Sequence, residues 1–346
     1  MKDISLTYRE KFLRNQKSFQ SKYKKLFDKV ANDISHLVND PSAKFSKSFN
    51  FNKQIEKKIT AIISQFQKEN LKLTESEIAE SWRLSNAKND EIVKDYIKTV
   101  TVLQTAEKAA LFIPNTSALE AFIARDRGVG TLSDAIWKVS AQLRAECEIH
   151  LGLSILNGDS AQVTSRRIRK YLENPEALFR RVRDKNGKLV ASKAMIENAP
   201  GQGHYNSAYK NAIRVARTET NQAFQMADAI RWKQLDFVRG VKIRLSEQHP
   251  KYNFVEICEE MEGEYPTQFT FIGWHPVCLC SATPILMPQD DFERSLAGED
   301  IKAVPIEKMP ENFNEYVKSN YERYSNYKNM PYWITENQSI VDKIIK

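Results

Sequence analysis

The sequence predicts an α+β fold: a helix-rich N-terminal arm or bundle, then a smaller helix-plus-sheet module closed by a Cys/His corner. Three observations predict it. Apolar residues recur at helical spacing through most of residues 6–235. Strand-like alternation is confined to short late stretches, chiefly 237–245 and 281–285. Three of the four cysteines and two of the five histidines fall within the 32 residues 249–280, which places the chemistry of the chain in one corner.

Tyr8, Phe12, Phe19, Tyr23, Leu26, Phe27 and Val30 predict a helix over 6–38, broken at Pro41 and the Ser/Phe/Asn-rich stretch 42–52. Ile55, Ile59, Ile62, Ile63, Phe66, Leu71 and Ile78 predict a second over about 53–86, with further helices over 88–113 and 116–126. Residues 1–126 thus read as a helical arm or bundle. Gly128-Val129-Gly130 is too short a glycine pair to cradle phosphate and reads as a turn, after which Thr131 or Ser133 caps the next helix. That helix passes Ile136, Val139 and Leu143 and stops at Asn157-Gly158; Ser160 opens a shorter segment through Ile168 and Leu172. Asn174-Pro175 is a break, and Asp184-Lys185-Asn186-Gly187 is a hairpin turn between 179–182 and 189–190.

After a loop at 200–203, residues 205–235 carry the clearest helical pattern, with Ala216, Ala223 and Ala227 making one side suited to close packing. Val238, Val241, Ile243 and Leu245 then predict a strand, and 281–285 another. An acidic loop is expected beyond Pro288, then a short helix at about 311–324 and an aromatic tail with Tyr332 and Trp333. The expected divisions are 1–126, 127–287 and 288–346.

At 346 residues the chain is long enough for two or three structural units. It has no run of 18 apolar residues, so neither a membrane span nor a membrane partner is expected. Met1-Lys2-Asp3-Ile4 leads into polar residues without a signal-peptide pattern, so secretion and structural disulfides are not expected either. Cys147 sits alone in a helical pattern and reads as a small buried apolar residue. The net charge is +8, and residues 1–60 hold the whole excess, with 14 Lys/Arg against 6 Asp/Glu. A second basic run begins at Arg166. Lys22, Lys24, Lys25, Arg166, Arg167 and Arg169 are candidate nucleic-acid-binding residues, because such runs neutralise phosphates; the other reading is a pair of solvated helix faces.

His249, Cys258, His275, Cys278 and Cys280 can supply a tetrahedral zinc site with one residue to spare, since thiolate and imidazole suit that ion. The Cys-x-Cys spacing is shorter than that of zinc ribbons. Two metal-free readings stand beside it: a compact turn with His275-Pro276 as its rigid corner, and a redox pair. Arg217 and Glu219, two apart on a helix, point to different faces, so each is expected to anchor a different neighbour, Arg217 near the cysteine cluster. A catalytic arginine–glutamate pair is the other reading.

The order Ala216-Arg217-Thr218-Glu219, alanine-rich helix, strand, Cys258, Gly263 and His275-Pro276-x-Cys278-x-Cys280 resembles the phage Mu F-like family, the minor head (head morphogenesis) proteins of tailed phages and prophages. The resemblance spans roughly 129–287. Two positions depart from the family pattern: Val255 replaces the first cysteine of a Cys-x-x-Cys, and Leu279 replaces an arginine. The resemblance implies a non-enzymatic head protein near the portal vertex. Its implied partners are the portal protein, other capsid components and phage DNA, in the virion head and, during assembly, in the host bacterial cytoplasm. The alternatives are a nucleic-acid-binding module using the basic N-terminal residues and a nuclease-like enzyme using His275 and Glu219.

Overall fold

The computed structural model describes residues 3–43, 51–98, 111–128, 130–175, 181–183, 185, 189–191, 207–247, 249 and 256–346. Its fold is α+β, as the sequence predicts. The helices are α1 (Ile4–Ser35), α2 (Lys53–Tyr96), α3 (Thr116–Ala124), α4 (Leu132–Asn157), α5 (Ala161–Glu173) and α6 (Ala208–Lys233), followed by α7 (Ile257–Glu260), α8 (Gln289–Leu296), α9 (Glu311–Ser325), α10 (Tyr332–Thr335) and α11 (Gln338–Ile345). The strands are β1 (Arg181–Arg183), β2 (Leu189–Ala191), β3 (Val238–Arg244), β4 (Gly263–Tyr265) and β5 (Ser281–Leu286). Among the described residues no helix is long and apolar enough to cross a membrane.

The chain divides into two compact units assembled from separated stretches. The first comprises Met1–Gln16, Ser76–Val129 and Arg217–Lys346; the second comprises Lys17–Glu75 and Gly130–Ala216. The limits fall inside α1, α2 and α6 and between Val129 and Gly130.

The second unit is built on helical patterning and local caps. Its core joins Phe19, Tyr23, Phe27 and Ile34 of α1 to Ile55, Ile59 and Phe66 of α2, Val139, Leu143 and Leu151 of α4, and Ile168 and Leu172 of α5. Ala208, Ala212 and Ala216, four residues apart on α6, add a face small enough for close approach. Cys147 is fully buried there, as its sequence setting predicts. Thr131 caps α4 in a reciprocal capping box with Asp134, and Gly158 ends it in the left-handed region at φ 68°. Ser160 caps α5. β1 and β2 pair antiparallel with Arg183 opposite Leu189, and most of the expected hairpin turn between them lies outside the described residues, as does the loop at 200–203.

The first unit holds a three-stranded antiparallel sheet in the order β4-β3-β5. β3 pairs Val241 with Tyr265 on one side and with Pro284 on the other. Pro284 is tolerated because β5 is an edge strand. An irregularity between Val238 and Gly240 inserts one residue, which is why Val238 and Val241 are both buried although three positions apart. Gly240 permits a close approach: a Cβ there would stand 2.6 Å from Ile306 Cδ1 and 2.8 Å from the Tyr265 carbonyl. The core is aromatic. Tyr265 stacks on Phe269 at 4.7 Å, and Trp274 meets Trp333 edge-on at 5.7 Å.

Three sequence expectations change, and one strand is added. α2 continues unbroken to Tyr96 rather than ending near 86, and much of the helix expected over 88–113 lies outside the described residues. The acidic loop after Pro288 is the helix α8, whose Asp290 and Asp291 occupy the first turn, where the helix dipole favours negative charge. The aromatic tail is the helical pair α10 and α11, with Trp333 buried in the core. β4, too short to show alternation, begins at Gly263, where a Cβ would meet Pro310 Cγ at 2.9 Å.

Candidate metal centre

Three of the chain's four thiols converge in the first unit. Cys258 comes from α7, while Cys278 and Cys280 come from the turn that precedes β5. Residues two apart along extended backbone share a face. Here 278–280 leads into β5, and both sulfurs turn to the same point. The turn is tight: Gly273 has φ 98°, Val277 has φ 63°, and the Cys278 amide donates to the His275 carbonyl at 3.1 Å. A Cβ on Gly273 would lie 3.1 Å from Cys278 Cβ.

The three Sγ atoms lie within 4.8 Å of one another, and Cys258 Sγ is 3.7 Å from Cys278 Sγ. Zinc–sulfur bonds of about 2.3 Å give a tetrahedral S···S edge of about 3.8 Å, so the cluster can hold a metal ion without rearranging this pair. His275 Nε2 lies 3.0 Å from Cys258 Sγ. Its Nδ1 donates to the Pro276 carbonyl at 2.8 Å, which places a proton on Nδ1 and turns Nε2 toward the sulfur. S–H donation from Cys258 and Cys280 holds Cys278 well below the usual thiol range. Cys258 is pushed up, first because it donates to Cys278. A cation bound among the three sulfurs would replace the protons they carry.

His249 follows β3 in a turn closed by its amide on the Ser246 carbonyl at 2.9 Å. Its Nε2 lies 2.6 Å from Glu256 Oε2, and Glu256 Oε1 is 3.5 Å from His275 Nε2. All five predicted ligands therefore gather here, and Glu256 joins them as a residue sequence reasoning missed. Val255, one of the two positions that depart from the resembled pattern, lies outside the described residues.

The Arg217-Thr218-Glu219 motif lies on α6. The Val277 amide donates to Thr218 Oγ1 at 3.2 Å. Arg217 donates to Gln16 Oε1 at 3.3 Å. Glu219 is gripped by Arg127, through Nε at 2.7 Å and Nη2 at 2.9 Å, and by Arg125 at 3.2 Å. Arg217 and Glu219 thus anchor different neighbours, as their offset on the helix predicts. Arg9, also missed, reaches the Leu279 carbonyl at 2.6 Å and Asn221 Oδ1 at 3.3 Å.

The candidate nucleic-acid residues lie in the second unit. Lys24 pairs with Asp28 at 3.2 Å and with Glu173, and Arg167 pairs with Asp159 at 2.6 Å. These two cations are partly neutralised by neighbours. Lys22, Lys25, Arg166 and Arg169 are exposed on α1 and α5.

Comparison with known protein families, curated proteins and solved structures finds no match to this chain.

Proposed function

We propose that the chain is a minor head protein of a tailed phage or prophage, portal-associated and structural, whose Cys/His corner binds zinc. One observation carries the reading. The two halves of the motif order that resembles the phage Mu F-like family, Arg217-Thr218-Glu219 and His275-Pro276-x-Cys278-x-Cys280, touch through Thr218 and Val277. A motif whose parts meet in space and tie a helix to a sheet fits a fold-closing role. The carboxylate of Glu219 is taken up by two arginines, which suits anchoring better than acid–base work.

In the zinc reading Cys258, Cys278, Cys280 and His275 hold the ion, which draws α7 and the turn before β5 together. The ion supplies a structural cross-link. His275, with its Nδ1 proton fixed on Pro276, presents Nε2 to the ion. Lys25, Arg166 and Arg169 supply the contact to packaged DNA, which is electrostatic and independent of sequence.

Co-sedimentation with portal oligomers tests the role: the protein travels with the portal, and a chain that stays portal-free under assembly conditions overturns the reading. Protein purified without chelator carries zinc that Cys278→Ser removes. DNA affinity falls steeply with salt, and Lys25→Glu with Arg166→Glu weakens it; unchanged affinity removes DNA from the partners.

A further inference from the structure

Cys258 belongs to two triads of ligand atoms. With Cys278 and Cys280 it forms the sulfur set, and with His249 and Glu256 it forms a second set whose atoms also lie within 4.8 Å of one another. We propose that the corner is a dinuclear centre in which the Cys258 thiolate bridges two divalent metal ions of the zinc class. The first ion is that of the reading above; the second, held by His249 and Glu256, is new.

The count of donors motivates a second ion. Six side chains converge, three thiols, two imidazoles and one carboxylate, whereas one tetrahedral ion accepts four. Cys258 is the member common to both triads, and a thiolate has lone pairs enough for two ions. His275 Nε2, 3.0 Å from Cys258 Sγ, completes the sulfur set. His249 Nε2, a Glu256 oxygen and Cys258 Sγ then give the second ion three protein ligands and leave its fourth position to water.

The second triad is shaped for this. His249 Nε2 and Glu256 Oε2 stand 2.6 Å apart, sharing a proton, and their side chains are only 6% and 23% exposed. Around zinc, with bonds of about 2.0–2.1 Å, a nitrogen and an oxygen stand about 3.3 Å apart. Entry of an ion therefore replaces the shared proton and opens the pair by less than about 1 Å. The balance closes: each ion enters as the protons on its own ligands leave, those on the sulfurs for the first and the one that bonds His249 to Glu256 for the second. Three thiolates and one carboxylate match the charge of two divalent ions. The donor types of the second set, nitrogen, oxygen and sulfur, all bind zinc.

Native mass spectrometry and elemental analysis of the full chain, purified without chelator, test the proposal. Two zinc ions per chain are expected, falling to one in Glu256→Gln and in His249→Ala while the circular dichroism of the fold is retained. One zinc per chain, unchanged by Glu256→Gln, overturns the second ion and leaves the single-zinc reading standing. No zinc in the folded protein overturns both. Titration of the metal-free chain with cobalt reads the bridge directly. The high-spin signal grows through the first equivalent and declines through the second, as the shared sulfur couples the ions. A signal that grows in proportion through two equivalents overturns the bridging role of Cys258.

Discussion

The Val277 amide donates to the Thr218 hydroxyl at 3.2 Å, and this bond ties α6 to the turn that carries His275 and Cys278. Val277 holds φ 63°, a region that a β-branched side chain enters only when its surroundings hold it there. Thr218→Val keeps the side-chain shape and removes the acceptor. It is expected to lower stability by about 1–2 kcal/mol, the cost of stranding a partly buried donor. Thr218→Ser restores most of the loss. Urea midpoints check this, and equal midpoints for Thr218→Val and the wild type would show that the bond does not hold the turn.

Glu219 pairs with both Arg125 and Arg127, and all three side chains are less than one-fifth exposed. Burial pushes Arg125 down to about 10, with the Glu219 charge opposing the shift. Glu219→Gln keeps the hydrogen-bonding shape but leaves two guanidinium charges facing a neutral amide. The expected loss is about 3–5 kcal/mol, larger than that of Thr218→Val. Denaturant unfolding compares the two directly. A loss under about 1 kcal/mol would mean that the arginines find other counter-charges.

Features that rest on local chemistry were legible in the sequence. Thr131, Gly158 and Ser160 bound their helices because side-chain oxygens and a left-handed glycine act within a few residues. The Cys/His corner was legible by residue type, since cysteine and histidine are scarce. Glu256 was not, because it is one of 44 acidic residues and only the fold sets it beside His249. Arg9 lies 270 positions from the Leu279 carbonyl it bonds, a separation no local pattern reports. The acidic stretch beyond Pro288 reads as a loop in the sequence, yet Asp290 and Asp291 at a helix N-terminus are stabilising, and α8 forms there.

Lys88 and Asp228 form an ion pair at 2% and 0% exposure, and Ser85 and Asn89 also donate to Asp228, at 2.6 and 2.7 Å. Burial pushes Lys88 down and Asp228 up, each opposed by the charge of the other. Lys88→Met leaves a buried carboxylate with hydrogen-bond donors and no counter-charge, at an expected cost of about 3–5 kcal/mol. The double variant Lys88→Met, Asp228→Asn is expected to lose less than the two single changes added together, with a coupling of about 0.5–3 kcal/mol. A double-mutant cycle measures it. Simple additivity would mean that the pair contributes nothing beyond its separate desolvation costs.

Glu146 on α4 is 7% exposed and accepts the Ala208 amide through both oxygens, at 3.0 and 3.1 Å, at the first residue of α6. Gln142 donates to it as well, at 2.9 Å. Burial raises its carboxyl from the ordinary 4.5 to about 7, and the Ala208 and Gln142 donors offset part of the rise. Between those two values the folded chain binds more proton than the unfolded chain, so stability falls as pH rises. The contribution of Glu146 is fully present below about pH 4.5 and is lost as pH passes through about 7. At roughly 1.4 kcal/mol per unit, ionisation costs on the order of 3 kcal/mol by pH 8. Glu146→Gln keeps an acceptor for Ala208 and cannot ionise. Its stability relative to the wild type is therefore expected to climb between pH 4.5 and 8, by on the order of 3 kcal/mol. Taking the difference between the two proteins at each pH cancels the other titrating groups. A difference that stays flat with pH would mean that the helix N-terminus at Ala208 compensates the buried charge in full.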